Sequence, residues 1–293
     1  MKTAWIFPGG SARAVYTAGA IYALSTMEIS KPDIIIAASG SAPTSICFVT
    51  GQYKIIPAVW LESLSTKKFV NLFRFWKIVD VDYLIDDVVR RRNPLDMQKA
   101  AESRIIIYFP LTNSKTGEIK YFSNKTGVNL WEVIKASVSV PIFTNLFSVR
   151  GSKVNGQFFS DSSPASRFQL HVKKAVEEGA KRIIVFDNWH SNDNPTTYFF
   201  SKLFALIRNS EFRNNQLNYL KKIEDFSMPD NIEFIKLEPA SRLNMGRFEI
   251  NNENARKVFK RGYDDTFNNQ KLRTLTFKSL PPAPANLTRP SSG

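Results

Sequence analysis

Residues 33–42 read DIIIAASGSA, a short apolar run that ends at Ser39 among very small residues. The isoleucines predict a buried strand, and a helix is predicted directly after the serine. Such a sharp strand-to-helix turn needs small neighbours, because bulky side chains would collide with the adjoining strand and helix. The stretch therefore predicts a strained nucleophile elbow that exposes the Ser39 hydroxyl. The other elbow positions are Ala37, Ala38, Gly40 and Ser41.

A second small-residue turn follows the predicted strand at residues 4–7. Successive backbone N–H groups at such a turn can point to one spot and form an oxyanion hole. A phosphate-binding loop is the alternative, but neither G-x-G-x-x-G nor G-x-x-x-x-G-K-[ST] is present. The predicted oxyanion-hole residues are Gly9, Gly10, Ser11, Ala12 and Arg13, the last of which adds positive charge.

A candidate base stands at the end of the predicted strand QFFSD, at Asp161. A carboxylate at the end of a strand can accept the proton of a serine if the two side chains lie within hydrogen-bonding distance. Ser39 and Asp161 are thus the predicted catalytic residues.

The chain has only two histidines, and both bear on the choice between a dyad and a triad. His171 lies in a predicted amphipathic helix beside lysines, which indicates a packed or solvated role. His190 follows a predicted strand, and the order Ser39, Asp161, His190 matches that of α/β-hydrolases. However, one strand alone precedes the elbow, and a helix and a strand separate Asp161 from His190. These features favour a dyad, with His190 as the rival triad member.

Composition limits the classes of partner. The formal net charge is +14, which favours anionic partners such as lipid headgroups or nucleic acid. The sequence has no zinc-ligand set, RNA-recognition signature or basic zipper, so we expect no nucleic acid partner, no metal and no cofactor. Cys47 is the single cysteine, which excludes an intramolecular disulfide and suits a reducing compartment.

The alternation of strand-like and helix-like stretches predicts one α/β domain over residues 1–279. Within it, residues 54–101 are predicted helical and residues 189–230 are predicted to form a helical cap. The Pro/Ser-rich tail at 280–293 is predicted to be disordered. The N-terminal apolar run is too short for a secretory signal, and no apolar run spans a bilayer. The expected location is cytoplasmic, with peripheral binding at the inner membrane face.

The GGSARA turn, the AASGS turn and the late strand that ends in aspartate together resemble the bacterial branch of the patatin-like phospholipase family. Further similar stretches bring the resemblance to about residues 3–268: they are residues 81–86, 93–96, 112–118, 136–141, 175–179 and 262–264. The resemblance implies a three-layer α/β/α fold with a mostly parallel central sheet. It also implies a Gly-rich oxyanion hole, a serine nucleophile, an aspartate base and no catalytic histidine.

The resemblance implies a serine lipid acyl hydrolase of the phospholipase A or lysophospholipase type, acting on acyl lipids. Four residues depart from the small-residue pattern of the family, namely Ser11, Ala37, Ser41 and Ser162. They leave open an alternative, a catalytically weakened lipid-binding or interaction protein with the same fold. Aromatic and basic residues interleave over residues 69–77, and they either contact an anionic lipid interface, pack in the core or line an acyl pocket.

Overall fold

The structure is a computed structural model that describes most of the chain, namely residues 1–64, 66–74, 76–141, 143–144, 150–162, 164–190, 202, 205–246 and 251–277. The tail predicted at 280–293 lies outside these residues. Residues 191–201 and 203–204 of the predicted cap lie outside them as well.

An eight-stranded sheet forms the centre of the fold. Hydrogen-bonded neighbours connect β5-β6-β3-β2-β1-β7-β8, and β4 is paired to β3. Strands β2 and β6 pair with different residues of the long strand β3. Parallel pairing joins β3, β2, β1, β7 and β8, so the predicted mostly parallel sheet is confirmed. Antiparallel pairing attaches β4 and β6 to β3, and β5 to β6. The strands are β1 Thr3–Phe7, β2 Ile34–Ala37, β3 Ile106–Asn113, β4 Ile119–Ser123, β5 Ser152–Val154, β6 Gln157–Ser160, β7 Arg182–Phe186 and β8 Glu233–Leu237.

Both faces of the sheet are covered, as the near-continuous apolar sequences of the central strands require. Successive side chains of a strand point to opposite faces, and β1 shows the result. Trp5 and Phe7 belong to the larger apolar cluster, whereas Ala4 and Ile6 belong to the smaller one. The mixed α/β architecture with helices flanking a central sheet is therefore confirmed.

The α-helices are α1 Ala14–Thr26, α2 Ser41–Thr50, α3 Ile55–Pro57, α4 Met97–Glu102, α5 Leu130–Ser137, α6 Phe168–Glu177, α7 Ser210–Glu224, α8 Asn252–Phe267 and α9 Gln270–Phe277. Two wider π-helical segments, Ala58–Ser63 and Tyr83–Arg92, and two short 3-10 turns, Ser11–Arg13 and Pro164–Ser166, are also present in the described part of the chain. Gly51 ends α2 in the left-handed conformation, with φ of 76°, which is the usual role of glycine after a helix.

The prediction that residues 54–101 are helical is wrong at residues 93–96 and over residues 66–74 and 76–79. The latter two stretches form a loop closed by an isolated bridge between Val70 and Val79. The Arg74 side chain donates hydrogen bonds to the backbone carbonyls of Lys68, Phe69 and Lys77. Those bonds satisfy carbonyl groups that a helix would otherwise satisfy, so the loop is stable without helical periodicity.

Strand β3 brings together the two sequence regions that carry the candidate catalytic residues. Tyr108 pairs with Ile36 of β2 and Ser123 of β4, so β2 and β4 lie on opposite sides of β3. Thr112 pairs with β4 and with Ser160 of β6, so β6 and β4 also lie on opposite sides. Strands β2 and β6 therefore share one side of β3, and their ends approach each other from opposite directions.

Helices α1 and α8 pack with their backbones in direct contact, and glycine makes this approach possible. A Cβ added at Gly262 would overlap the Tyr16 carbonyl oxygen and would lie 2.8 Å from the Tyr16 carbonyl carbon. Gly19 faces the Phe259 carbonyl in the same way. The many small residues of α1 are thus explained by close helix packing.

We expect Gly262→Ala to destabilise the fold by roughly 2 kcal/mol or more, because the new methyl group must push two helix backbones apart. Lys260→Ala on the exposed face of the same helix should change the free energy of unfolding by only about 0.5 kcal/mol. Urea unfolding of the two variants measures the difference. Equal stability of both variants would contradict the close backbone packing.

Candidate functional site

Ser39 occupies a strained turn between β2 and α2. Its φ is +55°, a left-handed conformation that is rare for a residue with a side chain. The turn is fixed on both sides: Ala38 donates to the Phe7 carbonyl over 3.0 Å, and Ala42 donates to the Ser39 carbonyl over 2.9 Å. The structure thus places Ser39 in the sharp strand-to-helix turn that the sequence predicts.

The neighbours of Ser39 are small because larger side chains have no room. A Cβ at Gly40 would lie 2.9 Å from the Trp60 ring, and Ala37 is fully buried within the sheet. Ser41, one of the departures from the family pattern, donates its hydroxyl to the Pro8 carbonyl over 3.0 Å. Its extra atoms therefore join the elbow to the N-terminal loop.

Asp161 follows the end of β6 and faces the elbow. Its backbone N–H donates to the Ser139 carbonyl over 2.9 Å, which fixes its position. The Ser39 hydroxyl lies close enough to lower the pKa of its carboxyl group, as a hydrogen-bond donor does. The Ser166 hydroxyl donates to the same carboxyl over 2.9 Å. The structure therefore brings Ser39 and Asp161 together.

Burial raises the pKa of Asp161 from an ordinary 3.8 to about 6. Desolvation penalises the charged carboxylate, and this effect outweighs the hydrogen bonds from Ser39, Ser166 and the Ser162 backbone, which lower the pKa. At neutral pH the group is still mostly ionised, but it is a stronger base than an exposed aspartate. A carboxylate in this state can accept a proton from a nearby hydroxyl.

The N-terminal loop lies directly against the elbow. A Cβ at Gly9 would lie 2.8 Å from the Cβ of Ser39. The Gly9 N–H donates to the Ser166 carbonyl and the Arg13 N–H donates to the Gly10 carbonyl, so these two predicted amides are engaged. Within the described part of the chain, the N–H groups of Gly10, Ser11 and Ala12 have no protein acceptor.

A further amide at the elbow is available for the same role. Gly40 is the N-cap residue of α2 and directly follows Ser39. Its N–H has no acceptor among the residues that the structure describes. In hydrolases with this elbow, the residue after the nucleophile commonly contributes to the oxyanion hole. The sequence predicts Gly40 as an elbow position, and it predicts that the amides at the start of the following helix point to the reaction centre.

The Arg13 side chain is directed to the aromatic ring of Trp189. Its guanidinium lies 4.4 Å from the ring centroid, and that of Arg167 lies 4.5 Å from the same centroid. Arg13 also donates to the Met245 carbonyl over 3.3 Å. Cation–π contact and this hydrogen bond hold the charge beside the N-terminal loop.

Ser39 opens into an apolar cavity of about 110 Å³. The elbow and the N-terminal loop form one wall, and α2, the segment 55–64 and the loop 66–79 form the others. Cys47 lines the cavity as an apolar residue, since burial raises its pKa to about 12. The serine thus stands at the boundary between polar hydrogen-bonding groups and a space suited to hydrocarbon.

His171 is fully buried and has a structural role. Its Nε2 donates to the Ala165 carbonyl over 3.0 Å, and its Nδ1 accepts from the Tyr121 hydroxyl over 3.0 Å. Burial lowers its pKa to about 4, so the ring is neutral and fixes the turn that carries Ser166. His190 is partly exposed, and it is not among the groups that shift the pKa of Asp161.

Several residues at the site were missed by sequence reasoning. Ser137 donates over 3.5 Å to the Ser39 carbonyl, and the Ser139 carbonyl holds Asp161, which explains the motif at 136–141. Asn188 is fully buried, donates to Thr17 over 3.0 Å and packs against Gly10. The pair of polar residues that follows the apolar strand β7, Asp187 and Asn188, was the available signal for Asn188.

The departure at Ser162 is also accommodated. Its hydroxyl lies 2.7 Å from that of Thr112 and accepts from the Ala165 N–H over 3.2 Å. These bonds attach the turn after Asp161 to β3. Ser11 differs, because its φ of +52° places a residue with a side chain where glycine would be unstrained.

In the described residues, no helix combines the length and the apolar character needed to cross a membrane.

Comparison with known proteins places the chain in a family. Residues 6–167, more than half of the chain, match the family described as Patatin-like phospholipase. The chain is 24% identical over 245 residues to the uncharacterized protein YjjU of Escherichia coli strain K12, covering 81% of this chain and 66% of YjjU. The structure is similar to the crystal structure of VipD from Legionella pneumophila, with a TM-score of 0.51 and 13% identity over 93% of this chain and 67% of VipD. The VipD similarity concerns the fold, and the matched residues 6–167 contain the N-terminal loop, the elbow and Asp161. This chain belongs to the patatin-like phospholipase family.

Proposed function

We propose that this chain is a serine lipid acyl hydrolase of the phospholipase A or lysophospholipase type. One observation carries the proposal: Ser39 lines an apolar cavity and lies close enough to the buried Asp161 to lower the pKa of its carboxyl group. Membership of the patatin-like phospholipase family supports a lipid hydrolase. The reaction proposed here uses the two residues as a dyad.

In the first half of the reaction, Asp161 accepts the proton of Ser39 as the serine oxygen attacks the ester carbonyl carbon. The carbonyl oxygen gains negative charge, and the N–H groups of Gly10, Ser11, Ala12 and Gly40 are the proposed donors that stabilise it. The C–O bond to the leaving group then breaks. The alcohol or lysolipid takes the proton from Asp161 and departs.

In the second half, Asp161 accepts a proton from a water molecule that attacks the acyl-enzyme. The same amides stabilise the second tetrahedral intermediate. The bond between Ser39 and the acyl group breaks, and the proton on Asp161 returns to the serine oxygen. A fatty acid is released and the dyad is restored.

The cavity favours a fatty-acyl substrate. Its lining is apolar apart from a few hydroxyl-bearing residues such as Ser11 and Thr44, so a hydrocarbon chain is better suited to it than a polar acyl group. The charge of +14 supports an anionic membrane surface as the place of action, with peripheral binding in the cytoplasm. Phospholipid or lysophospholipid is the substrate class we propose.

The alternative is a lipid-binding protein with a weakened site. The strained conformation of Ser11 favours it, because an added side chain at the oxyanion hole can displace the amides. The hydrogen bonds made by Ser41 and Ser162 argue against it, since both hydroxyls support the site. A fluorophosphonate probe separates the two functions: the hydrolase labels at Ser39, whereas a folded protein that never labels is the weakened form.

Ser39→Ala should lower hydrolysis of a short-chain acyl ester at least about a thousandfold, because the nucleophile is lost. His190→Ala should lower the rate less than about tenfold if the dyad is correct. Initial rates and an intact-mass measurement after probe labelling test both variants. An unchanged rate for Ser39→Ala would end the proposal, and an equal loss for His190→Ala would replace the dyad by a triad.

The pH profile should show the base directly. We expect kcat/KM to rise with pH through an apparent pKa of about 6 and then level off, because Asp161 acts in its ionised form. The Ser166 hydroxyl stabilises the ionised form, so Ser166→Ala should move this limb to higher pH. A profile unchanged by Ser166→Ala, or one without an acid limb near this pH, would contradict the assignment of Asp161.

Asp161→Asn should stabilise the protein at pH 8 by about 1–3 kcal/mol, because it removes a charge whose burial is unfavourable. The folded wild type has a raised pKa and takes up a proton between pH 6 and 3.8, which the unfolded chain does not. Wild-type stability therefore rises relative to the variant as the pH falls through that window. Chemical unfolding at several pH values measures the difference in unfolding free energy between wild type and variant. Asp230→Asn, at an exposed position, is the control variant. A stability difference between wild type and Asp161→Asn that does not change with pH would show that this carboxyl is not desolvated.

A further inference from the structure

The loop at residues 66–79 exposes large apolar side chains at its tip. Phe73 is 91% exposed, Leu72 is 66% exposed and Trp76 is 48% exposed. Adjacent apolar side chains in water are unfavourable unless they serve contact with another apolar phase or surface. The exposed position of these side chains therefore indicates contact with another apolar phase or surface.

The loop is held in shape by its own hydrogen bonds. Arg74 donates over 2.6 Å to the Lys77 carbonyl and forms an ion pair of 3.3 Å with Asp80. The Asn71 N–H donates to the Ile78 carbonyl over 2.9 Å, beside the bridge of Val70 with Val79. The tip is thus presented in an ordered form, and little entropy is lost when it binds.

The inner side of the same loop lines the cavity that Ser39 opens into. Phe69, Val70 and Val79 belong to the cavity wall, whereas Leu72 and Phe73 lie at the exposed tip of the loop. One short segment therefore connects the proposed acyl-binding space to the molecular surface. An apolar surface on the same loop that lines an acyl cavity is suited to a lipid source.

The charges of the loop favour an anionic surface. Lys67 and Lys68 are exposed beside the tip. The two acidic groups at the end of the loop are paired, because Asp80 pairs with Arg74 and Lys77, and Asp82 pairs with Lys77 and Lys135. Lys67 and Lys68 would each be attracted to anionic headgroups.

We propose that the loop at 66–79 is a membrane anchor that inserts Leu72 and Phe73 into the interface of an anionic bilayer, with Lys67 and Lys68 at the headgroups. The anchor would hold the cavity mouth against the lipid. This inference rests on the proposed function only because it takes a lipid as the substrate. The loop is the part of the protein surface that would contact that lipid.

Vesicle cosedimentation tests the anchor with phosphatidylcholine vesicles and with vesicles that also contain phosphatidylglycerol. All proteins carry Ser39→Ala, so that binding is measured without hydrolysis. We expect Leu72→Asn/Phe73→Asn to lower the partition coefficient at least about tenfold on the mixed vesicles. Lys67→Gln/Lys68→Gln should lower it by roughly 10- to 30-fold on the mixed vesicles and should leave binding to phosphatidylcholine alone unchanged.

Leu206→Asn/Ile207→Asn is the matched control, because these neighbours are also apolar and are 59% and 67% exposed. This control should bind as the parent does, and thermal unfolding should show that every variant is folded. Binding of the Leu72 and Phe73 variant equal to the parent, or an equal loss in the control, would overturn the anchor. The proposed function fails by a different result, an unchanged hydrolysis rate in Ser39→Ala alone.

Discussion

The site depends on the arrangement of two strands along one side of β3. Strand β2 leaves β3 beside Tyr108, and β6 joins the same side at Thr112 from the opposite direction. The chain must turn away at both ends, and the two turns carry Ser39 and Asp161. Backbone pairing thus sets the distance between nucleophile and base before any side-chain contact forms, which makes the geometry rigid.

This arrangement buries a carboxylate almost completely, because Asp161 is only 6% exposed. Asp161 has hydroxyl and amide partners but is not among the ion pairs described for the chain, so burial keeps its pKa high. An arginine or lysine beside it would stabilise the charge and would weaken it as a base. The serine-rich surroundings, with Ser162 and Ser166 as donors, supply enough hydrogen bonding to keep the group ionised near neutrality. A cost in stability is the physical consequence of that basicity.

The sequence predicted the parts that local chemistry dictates. Buried strands, the small-residue elbow and the aspartate at the end of a strand were readable because few residue types fit those places. The loop at 66–79 was misread as helix because its order comes from Arg74 contacts that no periodicity reveals. Strand β5 was missed although Asn155 and Gly156, both with positive φ, form a typical hairpin turn before β6. Two of the groups around Asp161, Ser39 and the Ser139 carbonyl, come from distant segments, and only the fold shows them.

The loop at residues 66–79 connects the interior of the site with the outer surface of the protein. A fatty-acyl chain that leaves a bilayer for water loses favourable free energy with every methylene group exposed. A path lined by apolar side chains lowers that loss, and Phe69 and Val70 in the cavity wall lie a few residues from the exposed Phe73. If the tip of the loop lies within the membrane interface, the fatty-acyl chain of the substrate passes from the bilayer to the cavity without crossing water. Its ester group then reaches Ser39 at the point where the apolar lining gives way to backbone amides.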